Sequence, residues 1–284
     1  MTGVQTCALP IFGISAFASC GALRAVTLPP DLKTIERDAF SNCKGLEHVD
    51  LPEGLQSIGS SAFGGCGSLR SVTLPASLTE LWYHAFANCA GLEQVELPDG
   101  LQSIGGGNSA IDRAGGLKRM GGHSAFEGCG SLRSISLPNS LKAVENGAFL
   151  GSGLQSVVIP EGVERIGDAA FLSCENLETV TLPESLRVID GHAFQNCVNL
   201  REIRFPENLT EIGNDAFKGC RNLKSISVPD SVTDIGEGAF PDCEEATVPK
   251  HIRNLDEIFG ANRKSKHITC RRKPLLVKAI KKRK

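Results

Sequence analysis

The sequence has few aromatic residues other than phenylalanine, and it lacks the long apolar runs of a membrane protein. Only one tryptophan and one tyrosine occur in 284 residues, against 13 phenylalanines. No stretch approaches the roughly 18 consecutive apolar residues of a transmembrane helix, so we expect no transmembrane segment. Charged residues make up 22% and hydrophobic residues 41% of the chain, as is typical of a soluble protein.

Motifs of catalysis and of cofactor binding are also missing. The sequence contains no G-x-S-x-G, no H-E-x-x-H, no nucleotide fingerprint and no motif for sequence-specific nucleic-acid recognition. Its six histidines show no spacing typical of a metal or catalytic site. We therefore predict no catalytic, metal or cofactor site and no enzymatic activity. An enzyme would need one pocket that gathers a histidine, a carboxylate and a nucleophile.

What the sequence does have is a 23-residue repeat, present ten times. One unit reads A-F-x-x-C-x-x-L-x-x-V-x-L-P-x-x-L-x-x-I-x-x-x, and successive phenylalanines are 23 residues apart except for one spacing of 40 and one of 22. Such a short unit cannot bury its apolar face alone, so neighbouring units must stack. The repeated phenylalanines are Phe17, Phe40, Phe63, Phe86, Phe126, Phe149, Phe171, Phe194, Phe217 and Phe240.

Each unit predicts one coil of a solenoid. In the second unit, Leu46-x-x-Val49-x-Leu51 alternates with period two and indicates a short strand. Pro52 ends that strand, because proline cannot donate to a continuing ladder. The Leu55 to Ile58 arm should then return along the other side, and "AFSNC" should form a tight helical corner. Strand residues beside the buried valine, which are mostly serine and threonine, should form a solvated or docking face.

The repeat resembles the BspA-like (bacterial surface antigen type) leucine-rich repeat over about residues 12–260. This resemblance implies an α/β-type, right-handed leucine-rich-repeat solenoid of about ten coils, with short parallel strands. It also implies a non-enzymatic scaffold, because the better-known members are surface or secreted adhesins. The implied partner is a protein, suspected to be a host or cell-surface protein, although fold alone does not assign a function.

Nine of the eleven cysteines occur in register with the repeat. Zinc sites use cysteine pairs two to four residues apart, and the sequence has no C-x-x-C. Parallel side chains and an odd number also argue against disulfides. The sixth coil, "AFLGSGL", dispenses with the cysteine and one residue. We therefore predict that these cysteines are small, buried apolar residues.

The single tryptophan and the single tyrosine stand together in "ELWYHAF". Trp82, Tyr83 and His84 occupy positions where other coils have Gly-Ser-Ser or Gly-Asn-Asp. An exposed aromatic pair of this kind is typical of a binding hot spot. The alternative is that the pair packs on a neighbouring corner or on the glycine-rich insertion. We predict Trp82, Tyr83 and His84 as a partner-binding site.

Three segments depart from the repeat. A glycine-rich insertion spans 105–122, where an unconstrained excursion is the simpler interpretation. Residues 1–11 contain "GVQTCALPI", which is similar to a translated sequencing-adapter primer. We expect this leader to be non-native and the native amino terminus to be missing, which would leave an uncapped apolar end.

The third segment, residues 261–284, is strongly basic. It holds 11 Lys and Arg and no Asp or Glu, whereas the rest of the chain holds 19 basic and 32 acidic residues. We predict a disordered tail, with weak contact to anionic membranes or a nuclear-localisation signal as alternatives. The localisation that we predict is the cell surface or outside the cell, and the alternative is an intracellular interaction scaffold, where free thiols are common.

Overall fold

In the computed structural model, residues 11–101, 103–104, 124–260 and 267–271 are described. They wind into a solenoid of about ten coils, as predicted, and nearly every regular element is a short strand. The strands are β1 (Ile11–Phe12), β2 (Ala25–Thr27), β3 (Thr34–Ile35), β4 (His48–Asp50), β5 (Ser57–Ile58), β6 (Ser71–Thr73), β7 (Glu80–Leu81), β8 (Gln94–Glu96), β9 (Ala143–Val144), β10 (Ser156–Val158), β11 (Arg165–Ile166), β12 (Thr179–Thr181), β13 (Val188–Ile189), β14 (Glu211–Ile212), β15 (Ser225–Ser227), β16 (Asp234–Ile235), β17 (Glu245–Pro249) and β18 (His267–Arg271).

The strands form two rows along the solenoid, and every pairing is parallel between neighbouring coils. The row of longer strands, called the front sheet below, consists of the hydrogen-bonded groups β2–β4, β6–β8, β10–β12 and β15–β17–β18. Isolated bridges between Glu96 and Ser136 and between Thr179 and Glu202 extend it where no strand is assigned. The second row, called the back sheet below, consists of a four-stranded group, β1–β3–β5–β7, and a five-stranded group, β9–β11–β13–β14–β16. Paired residues in adjacent coils are mostly 23 positions apart, for example Val26 and Val49.

Within each coil, the alternation of apolar residues determines which side chains are buried. In β4 the central Val49 is buried and its neighbours His48 and Asp50 are exposed. The same pattern recurs in β6, β8, β10, β12 and β15. After each front strand a proline begins a turn, and in the second coil the Leu55 N–H donates to the Pro52 carbonyl over 3.0 Å. The predicted strand, turn and return arm are therefore present.

The corners that carry "AF" are successive turns rather than helices. In most corners two residues have positive φ: the one two positions before the phenylalanine and the one two positions after it, such as Asp38 (59°) and Asn42 (59°) around Phe40. These left-handed residues interrupt any continuous helix. Between coils, backbone N–H groups donate to carbonyls of the next corner, for example Phe40 N to Ala62 O over 2.7 Å. This corner ladder joins the coils at a third side of the solenoid.

The repeated phenylalanines form one stack along the interior. From Phe17 to Phe240, neighbouring ring centroids are 5.1–5.8 Å apart and the rings are inclined by only 4–12°. The stack continues from Phe86 to Phe126 at 5.7 Å, although the glycine-rich insertion separates these residues in sequence. The insertion therefore leaves the register of the interior unchanged.

The carboxyl-terminal end is closed by a degenerate coil. The short helix α1 (Leu255–Phe259) buries Leu255, Ile258 and Phe259. The Phe259 ring extends the phenylalanine stack, with its centroid 6.1 Å from that of Phe240. Terminal repeats of a solenoid are usually atypical in this way.

The prediction of a disordered tail over 261–284 is wrong for residues 267–271. These residues form β18, which pairs with the whole of β17 because β17 presents a five-residue edge. Ile268 lies beside Ala246 and packs on the core. The rest of that tail, the predicted insertion at 105–122, and residues 1–10 of the predicted leader lie outside the described residues. Ile11 and Phe12 form β1 and pair with β3.

Candidate partner-binding surface

The repeated cysteines line the interior beside the phenylalanine stack. The ten described cysteines are free thiols, and only Cys20 and Cys270, one at each end of the solenoid, are exposed. Among the buried ones, Cys66 Sγ donates to the Phe40 carbonyl at 3.2 Å. The corresponding thiol-to-carbonyl distances are 3.0–3.2 Å for Cys43, Cys89, Cys129, Cys174, Cys197 and Cys220.

Each of these thiols therefore connects one coil to the phenylalanine carbonyl of the preceding coil. The prediction of buried cysteines is confirmed for the inner coils. Describing them only as apolar side chains was incomplete, because the sulfur also provides a weak hydrogen-bond donor. Burial raises the pKa of Cys174 to about 11 and that of Cys129 to about 12. The thiolate, which is the reactive form, is thus disfavoured along this row of stacked cysteines, the cysteine column.

Ser152 takes the cysteine position in the sixth coil. Its backbone N–H donates to the Phe149 carbonyl at 2.9 Å, as the cysteine N–H does in other coils. The side chain is only 2% exposed, and its Oγ lies 3.3 Å from the Cys174 Sγ. The column is therefore continued by a hydroxyl.

The predicted site at Trp82, Tyr83 and His84 lies where the back strand β7 enters the fourth corner. Trp82 is half-buried, and its Nε1 donates to Glu80 Oε2 at 3.3 Å. Tyr83 is 40% exposed, and its ring meets the His84 ring edge to face at 5.8 Å. Tyr83 and His84 are therefore in direct contact, Trp82 is held by Glu80, and Tyr83 is the most exposed member of this cluster of three consecutive residues.

His84 also has a structural role in its corner. It occupies the first of the two left-handed positions, with φ of 59°, and histidine is enriched in this conformation. Its Nε2 lies 3.3 Å from Glu127 Oε2 in the next corner. Glu127 was not predicted as part of the site, since it is 43 residues away in sequence and outside the local motif.

A shallow groove of about 320 Å³ runs across the corners beside His84. It gathers this histidine, the carboxylates of Asp38 and Glu127, and the hydroxyls of Ser41 and Ser61. Nucleophilic catalysis needs the hydroxyl within hydrogen-bond reach of its base. Among the described residues His84 instead meets Glu127, and Ser41 Oγ accepts a hydrogen bond from Asn42. The groove therefore lacks the serine–histidine contact of an activated nucleophile.

A second groove, of about 330 Å³, is acidic and lies across later corners. Asp168, Asp190, Glu211, Asp234 and His192 line it. His192 Nδ1 lies 3.1 Å from Asp168 Oδ1. Burial raises the pKa of Asp190, while its hydrogen bond to Arg165 opposes that rise. Within the described residues, no group of three or more His, Cys, Asp or Glu side chains is arranged to hold a metal ion.

The front sheet presents a regular exposed face. Residues beside the buried central position, such as Ser71 and Thr73 in β6 and Thr179 and Thr181 in β12, are exposed. Along one edge, ion pairs join neighbouring coils; examples are Arg24–Glu47 and Arg70–Glu93, both at 3.0 Å. In the sequence, these pairs are recognisable as an arginine followed by a glutamate 23 residues later.

None of the helices in the described part of the chain is long and apolar enough to cross a bilayer.

Comparison with known proteins supports the repeat architecture. The family profile described as "BspA type Leucine rich repeat region" matches residues 11–110 and 121–268 in six copies. No curated protein sequence matches the chain.

Three of the solved structures that are similar to this chain are bacterial proteins. A leucine-rich cell surface protein from Faecalibacterium prausnitzii is 26% identical, with a TM-score of 0.49, over 87% of this chain and 79% of that one. The pneumococcal vaccine antigen PcpA is 20% identical, with a TM-score of 0.49, over 88% and 80%. A leucine-rich repeat protein from Bacteroides ovatus is 21% identical, with a TM-score of 0.43, over 92% and 87%.

Proposed function

Because the chain belongs to the BspA-type leucine-rich repeat family, we propose that it is a non-enzymatic protein-binding scaffold whose partner docks on Trp82, Tyr83 and His84. The observation that carries this proposal is the exposure of Tyr83 beside a half-buried Trp82. In the part of the chain that the structure describes, the large exposed hydrophobic residues are Ile14, Tyr83 and Val158.

The geometry of the cluster favours binding. Aromatic side chains bury a large area with only two side-chain torsions to fix, so they lose little entropy on association. The Trp82 indole is held by Glu80, and Tyr83 rests against His84. The cluster is therefore largely preorganised, which reduces the cost of binding.

Carboxylates around the cluster indicate the chemistry of the partner. Glu80 and Glu127 lie next to Trp82 and His84, at 3.3 Å in each case. An aromatic ring with acidic neighbours attracts lysine and arginine through ion pairing and cation–π contact. A partner surface with an exposed basic residue fits this site best.

Affinity capture with matched variants tests the site. The immobilised protein, the Tyr83→Ala variant and the Trp82→Ala/Tyr83→Ala double variant would be exposed to candidate surface proteins, and retained proteins identified by mass spectrometry. Val158→Ala, which alters an equally isolated exposed residue of the front sheet, is the control. We expect capture to be lost in the Tyr83 and double variants and kept in the control.

The opposite result would assign partner binding to a different surface. If Val158→Ala loses the partner and Tyr83→Ala keeps it, the front sheet is the docking face and the proposed cluster is wrong. Thermal unfolding of each variant should show little change for Tyr83→Ala, because that side chain is exposed. This measurement separates lost binding from lost folding.

For localisation we propose the cell surface or the extracellular medium, with an intracellular scaffold as the alternative. Buried thiols do not decide between these compartments, because thiols with raised pKa values react slowly with oxidants. Surface biotinylation of cells that express the intact native gene tests the proposal. Labelling of the protein on unbroken cells supports it, and labelling only after lysis favours the intracellular alternative.

A further inference from the structure

The groove beside the aromatic cluster coincides with a missing side chain. In the other corners the residue directly after the phenylalanine carries a side chain, as Ser41 and Ala87 do in the corners before and after the third. The third corner has Gly64 at this position. The row of side chains is therefore interrupted there, and Gly64 lines the shallow groove of about 320 Å³ next to His84.

The backbone does not require glycine at this position. The φ angle of Gly64 lies outside the left-handed region, whereas that of the following Gly65 is 75°. A Cβ on Gly64 would have the Ser61 and His84 carbonyl oxygens as its nearest neighbours, at 3.4 and 3.5 Å, which is ordinary van der Waals contact. The fold therefore accepts a side chain here, and the groove is a feature of this surface alone.

The groove has hydrogen-bond acceptors on both sides of the glycine. The Asp38 carboxylate lies in the preceding corner, and Glu127 Oε2 reaches to 3.3 Å from His84 Nε2 in the following corner. The coils are only 5.2 Å apart at the phenylalanine stack. Among the described residues that line the groove, none is lysine or arginine. A group above Gly64 therefore has a carboxylate on either side and no competing cation in the groove.

Both carboxylates can exchange their present contacts for a partner. Asp38 Oδ2 lies 3.4 Å from Arg37 Nε, but both side chains are open to water. Ion pairs of this exposed kind contribute little free energy, so an incoming cation can replace them at low cost. Glu127 faces the partly exposed imidazole of His84. Neither carboxylate is sealed inside the solenoid.

We propose that this groove receives an arginine side chain of the protein that docks on Trp82, Tyr83 and His84, an inference that rests on the proposed function. A guanidinium group is planar and donates in several directions, so it can bond acceptors on opposite sides at once, here Asp38 and Glu127. It also stacks on aromatic rings, and the His84 ring borders the groove and contacts the Tyr83 ring. A lysine ammonium group is a compact charge without this planar fork.

A chemical-shift titration of the full chain measures the contact directly. The probe is the peptide acetyl-Gly-Arg-Gly-amide, and its citrulline and lysine counterparts remove the charge and the fork in turn. We expect saturable shifts of the Gly64 and Gly65 amide signals with the arginine peptide. Dissociation should be in the millimolar range, because a single side chain in an open groove makes few contacts. The citrulline peptide should bind at least about tenfold more weakly, since its hydrogen bonds are not charge-assisted. No saturable shift with the arginine peptide, or equal binding of either counterpart, would overturn the proposal.

Filling the groove provides the matched variants. Gly64→Leu places leucine where the sixth and seventh corners already have Leu150 and Leu172. Gln195→Leu makes the same residue at the same position of the eighth corner, away from the groove. We expect Gly64→Leu to weaken binding of the arginine peptide at least about tenfold by steric exclusion, with thermal unfolding unchanged. Gln195→Leu should bind as the parent does. Undiminished binding by a folded Gly64→Leu variant would contradict the assignment.

Protein capture separates this inference from the proposed function. We expect the captured partner to be lost by both Gly64→Leu and Tyr83→Ala and kept by Gln195→Leu. If Tyr83→Ala loses the partner and Gly64→Leu keeps it, the groove is unused and only the inference fails. If both variants keep it, the cluster is not the docking site, and the proposed function fails with the inference.

Discussion

The interior and the surface of the solenoid follow different rules. Inside, one residue type recurs at each level: phenylalanine rings lie 5.1–5.8 Å apart, and cysteine thiols donate to the carbonyls of the preceding coil. Outside, residues at equivalent positions change from coil to coil, as from Ser71 in β6 to Gln94 in β8. The repeated residues thus identify the buried packing positions. The surface residues that differ between coils are the ones by which a partner can recognise one coil.

The difference has a physical cause. Every inner coil has a neighbour above and below, so a given interior position has nearly the same volume and the same carbonyl acceptor each time. Exposed positions contact water, which accepts many side chains. Trp82 and Tyr83 differ from their counterparts in other coils without disturbing the stack, in which Phe63 and Phe86 remain 5.2 Å apart.

The largest expected effect comes from breaking the phenylalanine column. Phe171→Ala removes a completely buried ring between Phe149 and Phe194 and should reduce the free energy of unfolding by about 3–5 kcal/mol. Phe17→Ala, in the first coil, should cost clearly less because Phe17 is only partly buried. Urea denaturation of both variants measures the difference. Equal costs would contradict the conclusion that burial of the ring sets the cost.

Alkaline pH should lower the free energy of unfolding, because the buried thiols resist ionisation. Burial raises the pKa of Cys174 from 9.0 to about 11. Below pH 9 the thiol is neutral in both the folded and the unfolded chain. As pH rises from about 9 towards 11, the unfolded thiol loses its proton and the folded one does not. The free energy of unfolding should therefore fall by about 1.4 kcal/mol per pH unit for this thiol.

The control for this prediction is a pair of cysteine variants. Cys174→Ala should make the decline with pH shallower between about pH 9 and 11. Cys270→Ala, at an exposed position, should leave the slope of the parent unchanged. A parent whose stability is flat above pH 9 would show that these thiols are already accessible to solvent.

A smaller effect is expected from the thiol hydrogen bond. Cys197→Ala removes the donor to the Phe171 carbonyl, which lies 3.2 Å from the sulfur, and leaves a small void. The expected loss of unfolding free energy is about 1–2 kcal/mol. Cys20→Ala, at an exposed position in the same register, should be neutral. Thermal unfolding of both variants tests whether burial decides the cost.

The smallest effect concerns the ion pairs at the edge of the front sheet. Arg70 and Glu93 are joined at 3.0 Å, but their side chains are 69% and 57% exposed. A double-mutant cycle with Arg70→Ala and Glu93→Ala should give a coupling free energy below about 1 kcal/mol, and less at high salt. A coupling above 2 kcal/mol would mean that the surface contributes to stability as the interior does.

Much of the fold could be predicted because the repeat shows it directly. The 23-residue spacing identifies which residues share a column, and Pro52 and Leu55 mark the turn between the two sheets. In the closing coil, Val248, Ile252 and Phe259 keep approximately to the repeat, although its pattern is degraded. These features depend on residues that are close in sequence or equivalent between coils.

Other features depend on contacts that the repeat does not encode. The thiol hydrogen bonds were missed because the sequence shows the same 23-residue spacing of cysteines whether or not their sulfur atoms donate hydrogen bonds. The corners were expected to be helical, but residues such as Asp38 and Asn42 adopt positive φ there. The contact between His84 and Glu127 depends on how corners align across the insertion, which sequence alone does not specify. The sequence alone likewise does not specify how exposed the Tyr83 side chain is.

The most direct test of the account is thiol accessibility in the native protein, measured by rapid alkylation and peptide mass spectrometry. We predict that Cys20 and Cys270 are modified at once, while the inner cysteines, from Cys43 to Cys243, react only after denaturant unfolds the chain. Rapid native modification of Cys89 or Cys197, in the middle of the column, would show that the coils are not sealed along their axis and would contradict the proposed interior.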